Sequence, residues 1–226
     1  MATLARLALA LALTLAAAGP AAAWTIIDYI TFDGIDYLRW PEEPGRALTR
    51  EDLGLEFAVI ECSFGEDVRS CPFGVDASAA FLPAGTRIYA VRGYTTSFRL
   101  AAVWQDRIFL YQAWRNPRAK TGADLWPIAG KVRAIDVQRG EPTGPTARAP
   151  SAVTPADVET LVEMIVRAPA RRPRVQPFGD ARYWLTIWLA DGTAFDRPYF
   201  PETGELMGGV VVPAEFRAIL ERYLRN

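Results

Sequence analysis

The stretch Tyr183-Trp-Leu-Thr-Ile-Trp-Leu-Ala-Asp-Gly-Thr-Ala-Phe-Asp-Arg-Pro-Tyr-Phe200 decides the fold prediction for the C-terminal third of the chain. Asp191-Gly192 separates two runs that are rich in β-branched and aromatic residues, which is a strong signal for a tight β-hairpin. Because side chains alternate along a strand, Trp184 and Trp188 share one face of the first run. A second layer that covers only the other face would leave these indoles as a binding surface for a sugar, a peptide or a protein partner. The alternative is that the two parts of the molecule pack together and cover both faces.

Helices are predicted on both sides of this hairpin. Thr154-Pro155 has the N-cap residue and first-turn proline of a helix, and Pro169 ends it. Pro213 opens a last helix near the C-terminus. In both segments the apolar residues recur with helical spacing and form one buried stripe: Val158, Leu161, Val162, Ile165 and Val166 in the first, and Phe216, Ile219, Leu220 and Tyr223 in the second.

Residues 24–140 show strand patterns instead. Asp33-Gly34 between two alternating runs predicts a hairpin, and residues 98–105 and 107–114 predict another with its turn near Asp106. The predicted fold class is therefore α+β, an antiparallel β-rich N-terminal part followed by a helix–β-hairpin–helix C-terminal part. Residues 141–150 contain three prolines and one glycine, so we predict a linker over 141–151 between a β-rich domain, 24–140, and an α+β domain, 152–226.

The N-terminus resembles a secretory signal peptide. Arg6 precedes an apolar run, and Ala21–Ala23 supply small residues before Trp24. We expect cleavage after Ala23, removal of residues 1–23, and a secreted or extracytoplasmic protein. No later apolar stretch is long enough to span a membrane, which needs about 20 residues.

The two cysteines, Cys62 and Cys71, are predicted to form a structural disulfide, because an even cysteine count in an exported chain favours pairing. A redox-active pair and two free thiols are the alternatives.

The composition excludes several function classes. The chain has no histidine, which removes Ser-His-Asp and Cys-His catalysis and histidine-bearing zinc sites. A net charge of −1 argues against nucleic-acid binding. No nucleotide motif is present, and we predict no cofactor and no metal site.

The enzymatic route left open is a pair of carboxylates, as in a glycan hydrolase. Its candidates lie near the two Asp-Gly hairpins: Asp28, Asp33, Asp36, Asp191 and Asp196.

Several segments resemble those of uncharacterised exported proteins and lipoproteins of Gram-positive bacteria. The resemblance is carried by residues 81–94 (FLPAGTRIYAVRGY), 98–101 and 128–137, and by the C-terminal segments 189–193 and 209–213. It implies an extracytoplasmic location and carries no known activity. Many of those proteins have a lipid-attachment cysteine, which this sequence lacks near the predicted cleavage site.

A ligand site is predicted around Tyr94. Arg92 shares its strand face, and Arg99 begins the next strand after only a short loop. A tyrosine between two guanidinium groups can stack on a sugar and pair with a carboxylate, and Tyr111 is a further candidate. We therefore predict an exported, non-catalytic module that binds an envelope or extracellular protein, peptide or glycan. The alternatives are a carboxylate-dependent glycan hydrolase and an inhibitor or immunity-type protein.

Overall fold

The computed structural model describes residues 28–39, 44–66, 69, 71–140, 151–174 and 182–225. The predicted signal peptide, 1–23, lies outside these residues, as does most of the predicted linker. None of the helices in the described part of the chain has the length and apolar composition needed to cross a membrane.

The described residues form fourteen strands and three α-helices, together with one 3-10 turn at Arg50–Asp52. The strands are β1 Asp28–Phe32, β2 Ile35–Arg39, β3 Leu53–Val59, β4 Cys62–Ser63, β5 Ser78–Ala79, β6 Arg87–Val91, β7 Arg99–Trp104, β8 Arg107–Arg115, β9 Val132–Arg139, β10 Ser151–Ala152, β11 Tyr183–Leu189, β12 Ala194–Phe200, β13 Glu205–Leu206 and β14 Val210–Val211. The helices are α1 Gly122–Leu125, α2 Pro155–Arg167 and α3 Ala214–Tyr223.

The predicted fold class, α+β with a helix–β-hairpin–helix C-terminal part, is wrong. Strand residues make up 43% of the described chain and helical residues 17%, so the protein is mainly β. The helices predicted at Pro155 and Pro213 are present, but they are short. The hairpin between them gains strands on both sides and becomes the centre of a six-stranded sheet, and this added pairing accounts for the error.

The first sheet has eight strands in the order β3-β6-β7-β8-β2-β1-β5-β4. Its two edge strands, β3 and β4, are separated along the chain by Ile60 and Glu61 alone, so the sheet must curl until its edges approach. Ring contact between Phe32 of β1 and Phe57 of β3, with centroids 5.8 Å apart, spans strands that are five places apart in the sheet. The concave inner face holds a continuous apolar core: Ile30, Phe32, Ile35, Tyr37, Ile88, Leu100, Ala102, Phe109 and Tyr111.

The second sheet has six strands in the order β10-β9-β11-β12-β13-β14. Strand β9 pairs with β11 from Val132 to Arg139, although β9 precedes the predicted linker and β11 follows it. Strand β9 of the predicted β-rich domain therefore joins a sheet whose other strands belong to the predicted α+β domain or lie at its start. The division into two domains stays a prediction. Helices α2 and α3 cover one face, where Ile135, Leu185 and Tyr199 join their apolar stripes in one core.

Local turn chemistry explains the hairpins that the sequence predicted. In the β1–β2 turn, Asp33 and Gly34 both have positive φ, +52° and +69°, as the tight turn between right-handed twisted strands requires. The β7–β8 turn uses Gln105 and Asp106 in the same region. Both hairpins are confirmed, and each has uninterrupted antiparallel register.

The predicted disulfide is confirmed: Cys62 of β4 is bonded to Cys71. Strand β4 has only two residues and pairs with β5 at the outer edge of the first sheet. The bond therefore fastens a very short edge strand to the loop that follows it.

Candidate functional site

The structure brings together two of the predicted site residues, Tyr94 and Arg99. The Arg99 guanidinium lies over the Tyr94 ring, with Cζ 4.6 Å from the ring centroid. Arg92 instead donates from Nε to the carbonyl oxygen of Leu53 at 2.8 Å. The second cation over the Tyr94 ring is Lys131, whose Nζ lies 4.7 Å from the centroid.

Asp191 is the carboxylate that Tyr94 meets. The Tyr94 hydroxyl donates to Asp191 Oδ2 at 2.8 Å, and Thr193 donates to Oδ1 from its backbone N at 2.9 Å and from Oγ1 at 2.7 Å. Arg99 donates from Nη1 to Thr193 Oγ1 at 2.7 Å. We call Tyr94, Arg99, Lys131, Asp191 and Thr193 the Tyr94 cluster.

Burial raises the pKa of Tyr94 to about 12, and the nearby Arg99 opposes this rise only in part. Burial alone would raise the pKa of Asp191, but its hydrogen bonds from Thr193 and Tyr94 outweigh burial and lower it. Asp191 therefore stays ionised as the permanent partner of the Tyr94 hydroxyl. The sequence predicted that Tyr94 and its neighbouring cations meet a carboxylate of a ligand, but the carboxylate found there is Asp191 of the protein itself. The Tyr94 cluster thereby connects the β6–β7 region to the β11–β12 turn. A ligand-binding role for Arg92, Tyr94 and Arg99 stays a prediction.

Tyr111 lies elsewhere, on the inner face of the first sheet. It is completely buried, and its hydroxyl donates to Asp28 Oδ1 at 2.9 Å. Arg39 donates from Nε to the other oxygen of Asp28 at 2.6 Å. Burial raises the pKa of Tyr111 well above its usual range, and the Asp28 carboxylate adds to that rise. The phenol therefore remains a neutral donor that fixes Asp28.

Phe109, two residues before Tyr111 on the same strand face, has two guanidinium groups close to its ring. Arg39 Cζ is 4.9 Å and Arg107 Cζ is 5.0 Å from its ring centroid. The indole of Trp104 lies 6.4 Å from the same ring and is 36% exposed. These side chains meet because Trp104 pairs directly with Arg107 across the β7–β8 hairpin, while Arg39 ends the neighbouring strand β2.

We call the resulting group the open-end cluster, since its residues lie at the end of the curled sheet where β1 begins and β2 ends. Its members are Asp28, Arg39, Trp104, Arg107, Phe109 and Tyr111. Two guanidinium groups face one carboxylate, which leaves the cluster with a net positive charge. Arg107 is exposed and forms no ion pair with any described residue. The arrangement can pair with an anion and stack against a planar or ring-shaped ligand.

The sequence contained part of this signal. Alternation along β8 places Arg107, Phe109 and Tyr111 on one face, and the hairpin register adds Trp104. Arg39 and Asp28 could not be assigned in advance, because their approach depends on how β2 pairs with β8, a contact between segments about 75 residues apart.

The carboxylates considered for catalysis are dispersed over separate partners. Asp36 accepts from Arg115 Nε at 2.6 Å, and Asp196 accepts from Thr186 Oγ1 at 2.6 Å. Asp33 occupies the β1–β2 turn. Across the described ranges, no three Cys, Asp or Glu side chains gather into a possible metal site.

The resemblance to exported proteins of Gram-positive bacteria stays a prediction that rests on the motifs quoted above. The open-end cluster is described from contacts between residues of this chain. Comparisons of the chain with protein-family models, with curated proteins and with solved structures found no match.

Proposed function

We propose that the protein is an exported, non-catalytic binding module and that the open-end cluster binds an acidic glycan of the cell envelope or the extracellular medium. The observation that carries the proposal is the presence of two guanidinium groups close to the Phe109 ring, beside the partly exposed indole of Trp104. The signal-peptide pattern of residues 1–23 supports the proposed location.

Each residue of the cluster has a distinct role in this proposal. Arg107 is the exposed cation and pairs with a ligand carboxylate, for which a guanidinium offers two parallel donors. Trp104 packs against the apolar face of a sugar ring. Arg39 is held by Asp28, which is held by Tyr111, so this chain of hydrogen bonds orients the second cation before the ligand arrives.

Calorimetric titration with trigalacturonate, an oligosaccharide with one carboxylate on each ring, tests the proposal. We expect Arg107→Ala and Trp104→Ala each to weaken binding at least tenfold, and we expect the affinity to fall as salt is raised. Arg133→Ala is the matched control, because Arg133 is an exposed strand arginine of the second sheet. Absence of binding by the unmodified protein, or equal effects of Arg107→Ala and Arg133→Ala, would refute the proposed site.

A further inference from the structure

The second sheet has a face that the helices leave uncovered. Helices α2 and α3 pack against the odd-numbered side chains of β11, such as Leu185 and Ile187. The opposite face carries Trp184, Thr186 and Trp188, which alternate with them along the same strand.

Strand register arranges this face in three rows. Thr186 pairs with Asp136 on β9 and with Asp196 on β12, so one row contains two carboxylates with a hydroxyl between them. The neighbouring rows are centred on the two indoles: Gln138, Trp184 and Pro198 on one side, and Ala134, Trp188 and Ala194 on the other. We call these nine residues the Trp188 face.

Hydrogen bonds fix the polar row. Thr186 Oγ1 donates to Asp196 Oδ1 at 2.6 Å, and Trp188 Nε1 donates to Asp136 Oδ2 at 2.7 Å. Four of the nine residues are partly exposed, namely Ala134, Asp136, Thr186 and Trp188, whereas Gln138, Trp184, Ala194, Asp196 and Pro198 are buried. The accessible part of the face therefore consists of an indole, a hydroxyl and a carboxylate that are already oriented.

Gln138 supplies an independent indication of a ligand. Its side chain is only 7% exposed, and its amide Nε2 has no hydrogen-bond partner in the described structure. A buried amide without a partner costs about 1–3 kcal/mol, so such groups are uncommon in folded proteins and a ligand oxygen would satisfy this one. Gln138 lies two residues from Asp136 on the same strand face, so the two side chains belong to neighbouring rows of the sheet.

We propose that the Trp188 face binds a neutral oligosaccharide. An indole packs against the C–H face of a sugar ring, and carboxylate oxygens accept hydrogen bonds from sugar hydroxyls. An outward rotation of the Gln138 side chain lets its amide, which is buried in the unliganded protein, donate to a further sugar oxygen. The partly exposed Asp136 carboxylate repels an anionic ligand, so the charge of this face selects against the acidic glycans proposed for the open-end cluster.

The two sites can be tested separately because they lie on different sheets. Calorimetric titrations with chitotriose, cellotriose and maltotriose probe the Trp188 face, and trigalacturonate serves as the anionic comparison. We expect at least one neutral trisaccharide to bind, and we expect Asp136→Asn to weaken it at least tenfold and Trp188→Phe to weaken it severalfold. Trp104→Ala, in the open-end cluster, should leave this affinity unchanged.

Thermal unfolding of each variant shows whether it is folded. Asp136→Asn keeps the shape of the side chain, so its effect on affinity does not depend on repacking. The proposal is overturned if none of the three neutral trisaccharides binds, if Asp136→Asn and Trp188→Phe leave the affinity unchanged, or if Trp104→Ala abolishes the binding. The proposal for the Trp188 face does not use Arg107. Loss of trigalacturonate binding in Arg107→Ala therefore bears on the open-end cluster and not on the Trp188 face.

Discussion

Replacement of Tyr94 by phenylalanine tests whether the Tyr94 cluster fastens the two sheets together. The substitution removes the hydroxyl that donates to Asp191 Oδ2 at 2.8 Å and keeps the ring that lies between Arg99 and Lys131. A hydrogen bond to a charged group contributes about 1.5–3 kcal/mol. Asp191 is 28% exposed and keeps its bonds from Thr193, so the lower end of that range applies.

We therefore expect Tyr94→Phe to lower the free energy of unfolding by about 1.5 kcal/mol, and the melting temperature by about 3–6 °C for a chain of this size. Urea denaturation followed by tryptophan fluorescence measures the change. Combining Tyr94→Phe with Asp191→Asn in a double-mutant cycle should give a coupling energy of about 1 kcal/mol. Tyr89→Phe is the matched control, since Tyr89 is a half-buried strand tyrosine whose hydroxyl forms no hydrogen bond with any described residue.

Two results would contradict this reasoning. One is an unfolding free energy for Tyr94→Phe within about 0.3 kcal/mol of that for Tyr89→Phe. The other is a coupling energy below about 0.3 kcal/mol, the scatter within which distant sites are additive. Either would mean that the hydroxyl contact does not hold the β11–β12 turn against the first sheet.

Further predictions concern other parts of the fold. Reduction of the Cys62–Cys71 bond should lower the free energy of unfolding by about 2–3 kcal/mol, as a denaturation series with and without reductant would show; an unchanged midpoint would contradict it. Because the pKa of Asp191 is lowered in the folded state, its stabilisation is present above about pH 4 and is lost as pH falls through its folded-state pKa. The stability difference between the unmodified protein and Asp191→Asn, measured by denaturation from pH 7 to pH 2.5, should therefore shrink with acidification, and a difference independent of pH would count against it. Gly122→Ala should lower the free energy of unfolding by about 2 kcal/mol or more, because the added Cβ would lie 1.9 Å from the Ile165 carbonyl oxygen. A melting temperature equal to that of the unmodified protein would show that helix α2 can shift without loss of stability.

Local elements could be predicted from the sequence because their causes are local. The Asp33-Gly34 turn, the hairpin around Asp191-Gly192 and the helix that begins at Pro155 follow from residues close together in the chain. The fold class was wrong because sheet membership is a long-range property. Nothing near Val132–Arg139 indicates that this strand pairs with one about 50 residues later.

The candidate sites show the same limit. Nothing in the sequence around Arg99 indicates that it is completely buried, because the second sheet that covers it is distant in the chain. Alternation correctly placed Trp184 and Trp188 on one face, but the carboxylates beside them come from neighbouring strands, Asp136 on β9 and Asp196 on β12. Side-chain types are visible in the sequence, whereas the neighbours that give them a role depend on register.

The position of β9 determines what cutting the chain would do. A protease site engineered between residues 140 and 151 would leave β9 on the N-terminal fragment and its partners β10 and β11 on the other. The nicked fragments should co-elute, since Ile135 and Val137 are fully buried in the shared sheet. Expressed alone, the N-terminal fragment would carry an eight-residue strand with no partner, the kind of edge that recruits other chains. We therefore expect the nicked protein to stay assembled, and we expect each half to fold poorly without the other.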